Sequence, residues 1–216
     1  LCHRNNTMSR VKSAFFKLFK PLANLAPTAS LIQFTQQRLI FPFYHSVADE
    51  HLPHVSNLYH VKSTQEFKRD LDFLLKQFQP IDLQTLLKAI ENQEKLPEKA
   101  FLLSFDDGLR EFHEIIAPVL KEKGVPCVNF LNPGFIDNQA LFYRYKVSLL
   151  LERLPRLSAK QEHQVQQCLE SYSQYTGAIR QSLFTTGHDM TGLLDDLAGI
   201  AGINYESFLK QQLPYM

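Results

Sequence analysis

The chain has 216 residues and a net charge of +1 from 23 basic and 22 acidic side chains. That balance gives no electrostatic case for nucleic acid, which calls for a clustered basic surface. Hydrophobic residues make up 44% and charged residues 21%, the composition of an ordinary globular protein with enough chain for a substantial core in one or two domains.

The three cysteines, Cys2, Cys127 and Cys168, are widely spaced. They form neither a CxxC metal knuckle nor a disulfide framework and read as reduced thiols. No run of about 18 apolar residues occurs, so no spanning helix is predicted. The stretch from Val11 to Ile32 is interrupted by Lys17, Lys20, Pro21 and Asn24, so it lacks the continuous apolar region of a signal peptide. Phe15, Phe16, Leu18 and Phe19 with Lys12, Lys17 and Lys20 fit a short interfacial helix, hence peripheral membrane contact, as well as a helix packed on the remaining fold. The expected location is therefore cytoplasmic or peripheral to the membrane. Residues 1–35 are assigned as an N-terminal helical segment. Leu1 is not a natural initiator, which points to a piece of a longer protein or to a start at Met8.

Arg38 to His45 is a short apolar run with Pro42 inside it, read as a buried but irregular strand that delivers His45 to its C-terminal end. Asp49 to His60 is a loop. Ser63-Thr64-Gln65-Glu66 spells a capping box, and Phe67, Leu71, Leu74, Leu75 and Phe78 follow at helical spacing, with Pro80 ending that helix. Asp82 caps a second helix, whose Leu83, Leu86, Leu87 and Ile90 are expected to face inward. Ala100 to Phe105 is nearly continuous in apolar residues, as in a parallel strand covered on both faces. A helix from about Arg110 to Lys123 follows, with a kink expected at Pro118 and a stop at Gly124. Val125 to Leu131 is the next strand, completing a βαβ unit with an expected right-handed crossover. Cys127 is expected to be a small core hydrophobe. From Tyr143 onward the pattern is helical, at about 143–154, 159–171, 191–198 and 204–212, with no convincing strand.

In parallel α/β folds, chemistry gathers at the C-terminal ends of strands, and Asp106-Asp107-Gly108 stands at such an end. Adjacent carboxylates repel unless something positive lies beside them, and Gly108 gives the turn its freedom. A divalent metal explains the pair directly, one Asp binding it and the other taking a proton from polarised water. A helix N-terminus favouring acidic residues explains it as well.

Phe101-Leu102-Leu103-Ser104-Phe105-Asp106-Asp107-Gly108, followed by Pro118-Val119-Leu120-Lys121-Glu122-Lys123-Gly124-Val125-Pro126, resembles the polysaccharide deacetylase family, the NodB-homology domain of carbohydrate esterase family four. Tyr44-His45-Ser46-Val47 resembles that family's entry strand, and the resemblance covers roughly residues 39–138. It implies an α/β fold, a partial distorted (β/α) barrel over residues 36–142, followed by a helical insertion over 143–216. It also implies removal of acetyl groups from a carbohydrate, with Asp106 as general base and Asp107 as ligand of a divalent metal, usually zinc. His45, at its strand end, is a candidate substrate-binding residue or a satisfied core histidine.

The family's HxxxH pair is absent, since no two of the eight histidines stand four apart. Nor are its later arginine, tryptophan and leucine-histidine motifs present. One carboxylate holds zinc weakly. The chain is therefore expected to be the N-terminal part of a longer deacetylase, inactive by itself, with the other metal ligands beyond Met216. A metal-free glycan-binding or polysaccharide-assembly protein on the same fold is the alternative. Magnesium-dependent phosphoryl transfer lacks its Gly-rich loop and dedicated lysine. Lesser candidates are Asn132 and Asp137 as sugar contacts or turn formers, and His51, His54 and His60 as an adventitious metal cluster. Arg144 with Tyr143 and Tyr145 is a candidate glycan-stacking group or a helix face, and Asp195-Asp196 a solvated helix face.

Overall fold

The structure is a computed structural model that describes residues 36–216 together with Ser30 and Ile32. The assigned N-terminal segment and its candidate membrane-facing phenylalanines thus lie outside the described residues, apart from Ser30 and Ile32. No helix among the described residues is long and apolar enough to cross a membrane.

The first half is mixed α/β. Its strands are β1 (Leu39–Ile40), β2 (Phe43–Tyr44), β3 (Gln79–Pro80), β4 (Ala100–Phe101), β5 (Leu103–Asp106) and β6 (Cys127–Phe130). Every pairing between them is parallel, in two three-stranded sheets ordered β1-β4-β3 and β2-β5-β6. Two expected strands are thereby split. Pro42 has no N–H to give to the ladder, and Leu102 interrupts the facing strand at the same level, so one long pairing bends into two. The described strands form two short parallel sheets and no closed barrel, within the α/β class expected from the sequence.

The apolar run at 100–105 occupies the centre of both sheets, with Phe101, Leu103 and Phe105 fully buried, as a strand covered on both faces requires. Helix α1 (Thr64–Gln77) begins on the capping box foreseen at Ser63 and Glu66 and buries Phe67, Leu71 and Leu74 against those strands. Pro80 does not simply end this helix. The chain leaves at Phe78 and runs on as β3, where Gln79 and Ile81 donate the ladder bonds to Lys99 and Phe101. Helix α2 (Leu83–Asn92) is capped by Asp82 as expected, but it buries none of its residues. Leu83, Leu87 and Ile90 are exposed, contrary to the inward face read from their spacing; only Leu86 packs on the core, beside Ile81, Ala100 and Leu102.

Between β5 and β6 the helix is not uniform. Phe112–Ile116 is a π-turn and α3 (Ala117–Lys123) follows it. Pro118 cannot donate to its own preceding turn, and the wider i→i−5 bond from Ala117 to Phe112 absorbs the defect. Gly124 ends α3 in the left-handed region, as its position suggested. Cys127 is partly buried against the core.

The second half is helical: α4 (Tyr143–Arg153), α5 (Ala159–Ser171), α6 (Ile179–Thr185), α7 (Thr191–Ala201) and α8 (Tyr205–Gln212). Four of these match the sequence reading; the short α6 was not anticipated, having no side-chain cap to announce it. A core of Val147, Leu150, Leu151, Leu169, Leu193 and Leu197 holds the bundle together. A separate cluster, with Leu109, Leu141, Tyr145, Leu149, Leu209 and Tyr215, joins the bundle to the strand ends.

Candidate active site

The strand order decides what meets at the site. Tyr44 of β2 pairs with Phe105 of β5, so the next residues out, His45 and Asp106, emerge side by side at the C-terminal edge. After Asp106 the backbone turns through two left-handed residues, Asp107 at φ 74° and Gly108 at φ 63°. Glycine takes that conformation freely; an L-aspartate does so at some cost, tolerated by its short polar side chain. A Cβ on Gly108 would also stand 2.8 Å from Leu131 Cδ2.

The turn is held from outside by the last residues of the chain. The Met216 N–H donates to the Gly108 carbonyl at 3.1 Å and the Arg110 N–H to the Pro214 carbonyl at 2.9 Å. Leu109 and Tyr215 form an antiparallel bridge between those bonds. The Asn138 side chain clasps the Tyr215 backbone, donating to its carbonyl at 3.2 Å and accepting from its N–H at 3.0 Å. The Tyr215 hydroxyl accepts from the Phe142 N–H at 3.0 Å.

Asp107 points into a polar enclosure. The Tyr145 hydroxyl, carried on α4, donates to its Oδ2 at 2.6 Å, and His45 Nδ1 lies 3.3 Å from the same oxygen. That second contact lacks hydrogen-bond alignment, leaving Nδ1 a buried nitrogen without a directed partner; it is an ion pair when the imidazole is protonated. Burial pushes the Asp107 carboxyl up, but His45 and Tyr145 outweigh it and hold the carboxyl below the usual range. The reciprocal effect raises His45 above an ordinary imidazole, chiefly through Asp107, against the pull of burial and with Asp106 adding its charge. Burial and the neighbouring Tyr59 and Asp107 keep the Tyr145 phenol firmly protonated, hence a donor.

Two cavities open on either side of this carboxylate. One, of about 320 Å³, is lined by His45, Tyr59, Asp107, Phe142, Arg144 and Phe184 among others. The other, of about 240 Å³, is lined by Asp107, Gly108, Asn132, Phe135, Asp137 and Tyr215 among others. The structure thus brings His45 to the Asp106-Asp107 pair. Asn132 shapes a turn, its Oδ1 accepting from the Gly134 N–H at 3.0 Å, and with Asp137 it also lines the second cavity. Arg144 donates to the Phe184 carbonyl at 3.3 Å and stacks over Tyr143.

The three loop histidines do not converge. His51 pairs with Glu152 and His60 with Glu66, while His54 is buried between Tyr145 and Phe208. Asp195 and Asp196 are bound by Lys146 and the Tyr172 hydroxyl, at 2.6 and 2.8 Å, on an exposed helix face.

Sequence reading missed two groups: Tyr145 as a partner of Asp107, and Glu111. Glu111 is 3% exposed, its carboxyl raised by burial, with the Ser46 hydroxyl 3.5 Å away. Heptad-like spacing could have marked Tyr145 and Leu149 as one buried face, but not what the hydroxyl reaches.

As a metal centre the described residues fall short. His45 Nδ1 and Asp107 offer two donors converging on one point, and no cluster of three His, Cys, Asp or Glu side chains exists among the described residues. A catalytic zinc normally takes three protein ligands. The donor set therefore does not fit a bound metal by itself.

The model of the polysaccharide deacetylase family matches residues 93–171. Over that stretch the chain is similar to polysaccharide deacetylases. The matched deacetylase stretch runs from the turn after α2 to the end of α5, so it takes in both the Asp106-Asp107 turn and the helix that carries Tyr145. Among solved structures, the chain is similar to a de-N-acetylase from Aggregatibacter actinomycetemcomitans, at 27% identity and TM-score 0.37 over 43% of this chain and 37% of that one. It is similar to the deacetylase PplD from Streptococcus pyogenes, at 17% identity and TM-score 0.41 over 51% of each chain. A third similarity is to IcaB from Ammonifex degensii, at 17% identity and TM-score 0.41 over 77% of this chain and 82% of that one. The chain thus spans 37% and 51% of the length of the first two. No curated protein matches it.

Proposed function

We propose that the chain carries the carboxylate half of a hydrolase site that removes acetyl groups from an oligosaccharide or polysaccharide. The observation that supports this reading best is the placement of Asp106, Asp107 and His45 at the C-terminal edge of a parallel sheet, with a cavity on each side of Asp107. Asp106 is the general base: its carboxylate takes a proton from a water that adds to the acetyl carbonyl carbon. Collapse of the tetrahedral adduct breaks the bond to the sugar nitrogen or oxygen, which takes up the proton held by Asp106, and releases acetate. Asp107, oriented by its neighbours, is the carboxylate that would hold a divalent ion, zinc by the family pattern, if further donors complete the site; such an ion would polarise the acetyl carbonyl. His45 borders the substrate. The α/β half is read as part of a distorted deacetylase barrel and the helices as an insertion on it.

A second reading is a glycan-binding or assembly protein without turnover. It draws on the state of Asp107, whose Oδ2 is satisfied by Tyr145 and His45, so the carboxylate needs no metal to be stable where it is.

The two readings separate when the full-length gene product is given N-acetylated and O-acetylated oligosaccharides and free acetate is followed by proton NMR. Acetate release from either class supports the hydrolase and identifies the bond cleaved. Binding of the same oligosaccharides without acetate supports the second reading.

A further inference from the structure

We propose that Tyr145 is a positioning residue for Asp107, which makes α4 part of the site's chemistry; the proposal rests on the deacetylase reading above. Its basis is a division of labour between the two oxygens of one carboxylate. Oδ2 is bracketed by the Tyr145 hydroxyl at 2.6 Å and His45 Nδ1 at 3.3 Å. Oδ1 receives no hydrogen bond from a described residue, so it is the oxygen left to act on a ligand.

Such fixing matters at this position. Asp107 stands in the left-handed region outside β5 and next to Gly108, so no strand ladder holds its backbone and its carboxylate direction must be set by side-chain partners. Tyr145 suits the task. The residue is 1% exposed. Its ring meets those of His54 and Phe142 at centroid distances of 5.4 Å and that of Tyr215 at 6.2 Å. With only two side-chain torsions and packing on several sides, its hydroxyl has little freedom to leave. Outer-shell hydrogen bonds of this kind orient working carboxylates, and their removal usually costs about 10–100-fold in function.

The bland explanation is that a buried tyrosine simply found an acceptor. Tyr205 provides the control, because its hydroxyl donates to the Leu194 carbonyl at 3.2 Å within the helical half. The test compares wild type, Tyr145→Phe and Tyr205→Phe in the full-length gene product. Two readouts are taken at fixed pH: the Asp107 side-chain carboxyl resonance in protein carrying carbon-13 aspartate, assigned by its loss in Asp107→Asn, and kcat and KM for acetate release. The account expects Tyr145→Phe to shift that resonance and lower kcat by about 10–100-fold with KM within about twofold, while Tyr205→Phe moves neither. An unmoved Asp107 resonance, or a kcat no lower than that of Tyr205→Phe, overturns the proposal. Should Tyr145→Phe fail to fold, Asp107→Asn is read from the other side: the Tyr145 ring carbon bearing the hydroxyl must shift, and its constancy overturns the contact. A wild-type protein that releases no acetate defeats the deacetylase reading, and the resonance then judges the positioning contact separately.

Discussion

The two halves of the molecule hold their functional groups by different means. In the α/β half, placement comes from the backbone: parallel ladders bring His45 and Asp106 to the same edge, and a left-handed turn throws Asp107 clear of the strand. In the helical half, placement comes from packing, which fixes Tyr145 by the rings around it. Each half has its own apolar core, and the cluster that joins them contains Leu109, next to the carboxylate turn, together with Tyr145 and Tyr215. The difference teaches where the site is vulnerable. Backbone-placed groups are lost when the ladder or turn fails, whereas the side-chain donor is lost when the junction loosens.

The largest effects test whether those cores are coupled. Phe105→Ala empties a fully buried ring site and is expected to cost about 3–5 kcal/mol. Leu193→Ala, in the helical core and also fully buried, is expected to cost about 2–5 kcal/mol. Followed by amide hydrogen exchange, each should lower protection in both halves together, because the junction cluster binds them. Loss confined to the mutated half would show that the halves are stabilised independently.

Acid should act on the junction next. His54 is 3% exposed, and burial, with Arg110 adding like charge, pulls its pKa from 6.5 to about 4. The unfolded chain therefore binds a proton that the folded one refuses. Stability from this group is intact above pH 6.5 and is lost as pH falls from 6.5 through about 4, by up to about 3 kcal/mol. Denaturant midpoints for wild type and His54→Leu measured across that window should diverge, with the variant the flatter.

Smaller effects sharpen the backbone side of the contrast. Gly108→Ala forces a side chain into the left-handed region, at about 1–2 kcal/mol; the exposed Leu131 can swing away from the added methyl. Ser63→Ala removes the capping-box hydroxyl of α1 and should cost about 1 kcal/mol, far from the site and without effect on it. Urea unfolding measures both, and an Ala at 108 that leaves stability unchanged would contradict the turn geometry.

Much of the backbone-placed half was legible in the sequence. The run Ala100 to Phe105 announced a central strand because burial on both faces removes any need for polar alternation, and the Ser63–Glu66 and Asp82 caps announced α1 and α2. The exposure of Leu83, Leu87 and Ile90 was not legible, since apolar spacing gives a helix a face but does not supply a surface to cover it. Pro42 signalled irregularity without showing that two sheets would result. The Asp106-Asp107-Gly108 turn and His45 could be located because local chemistry marks them. The Tyr145 contact spans 38 residues of chain and leaves no local trace, as with the burial of His54 and Glu111.

The central claim, that Asp106 is the base of a deacetylase centre, is tested most directly by acetate release from an acetylated oligosaccharide by the full-length gene product carrying Asp106→Asn, with oligosaccharide binding titrated in parallel. The account predicts binding close to wild type and acetate release reduced by about 10²–10⁴-fold. Release at the wild-type rate would contradict it.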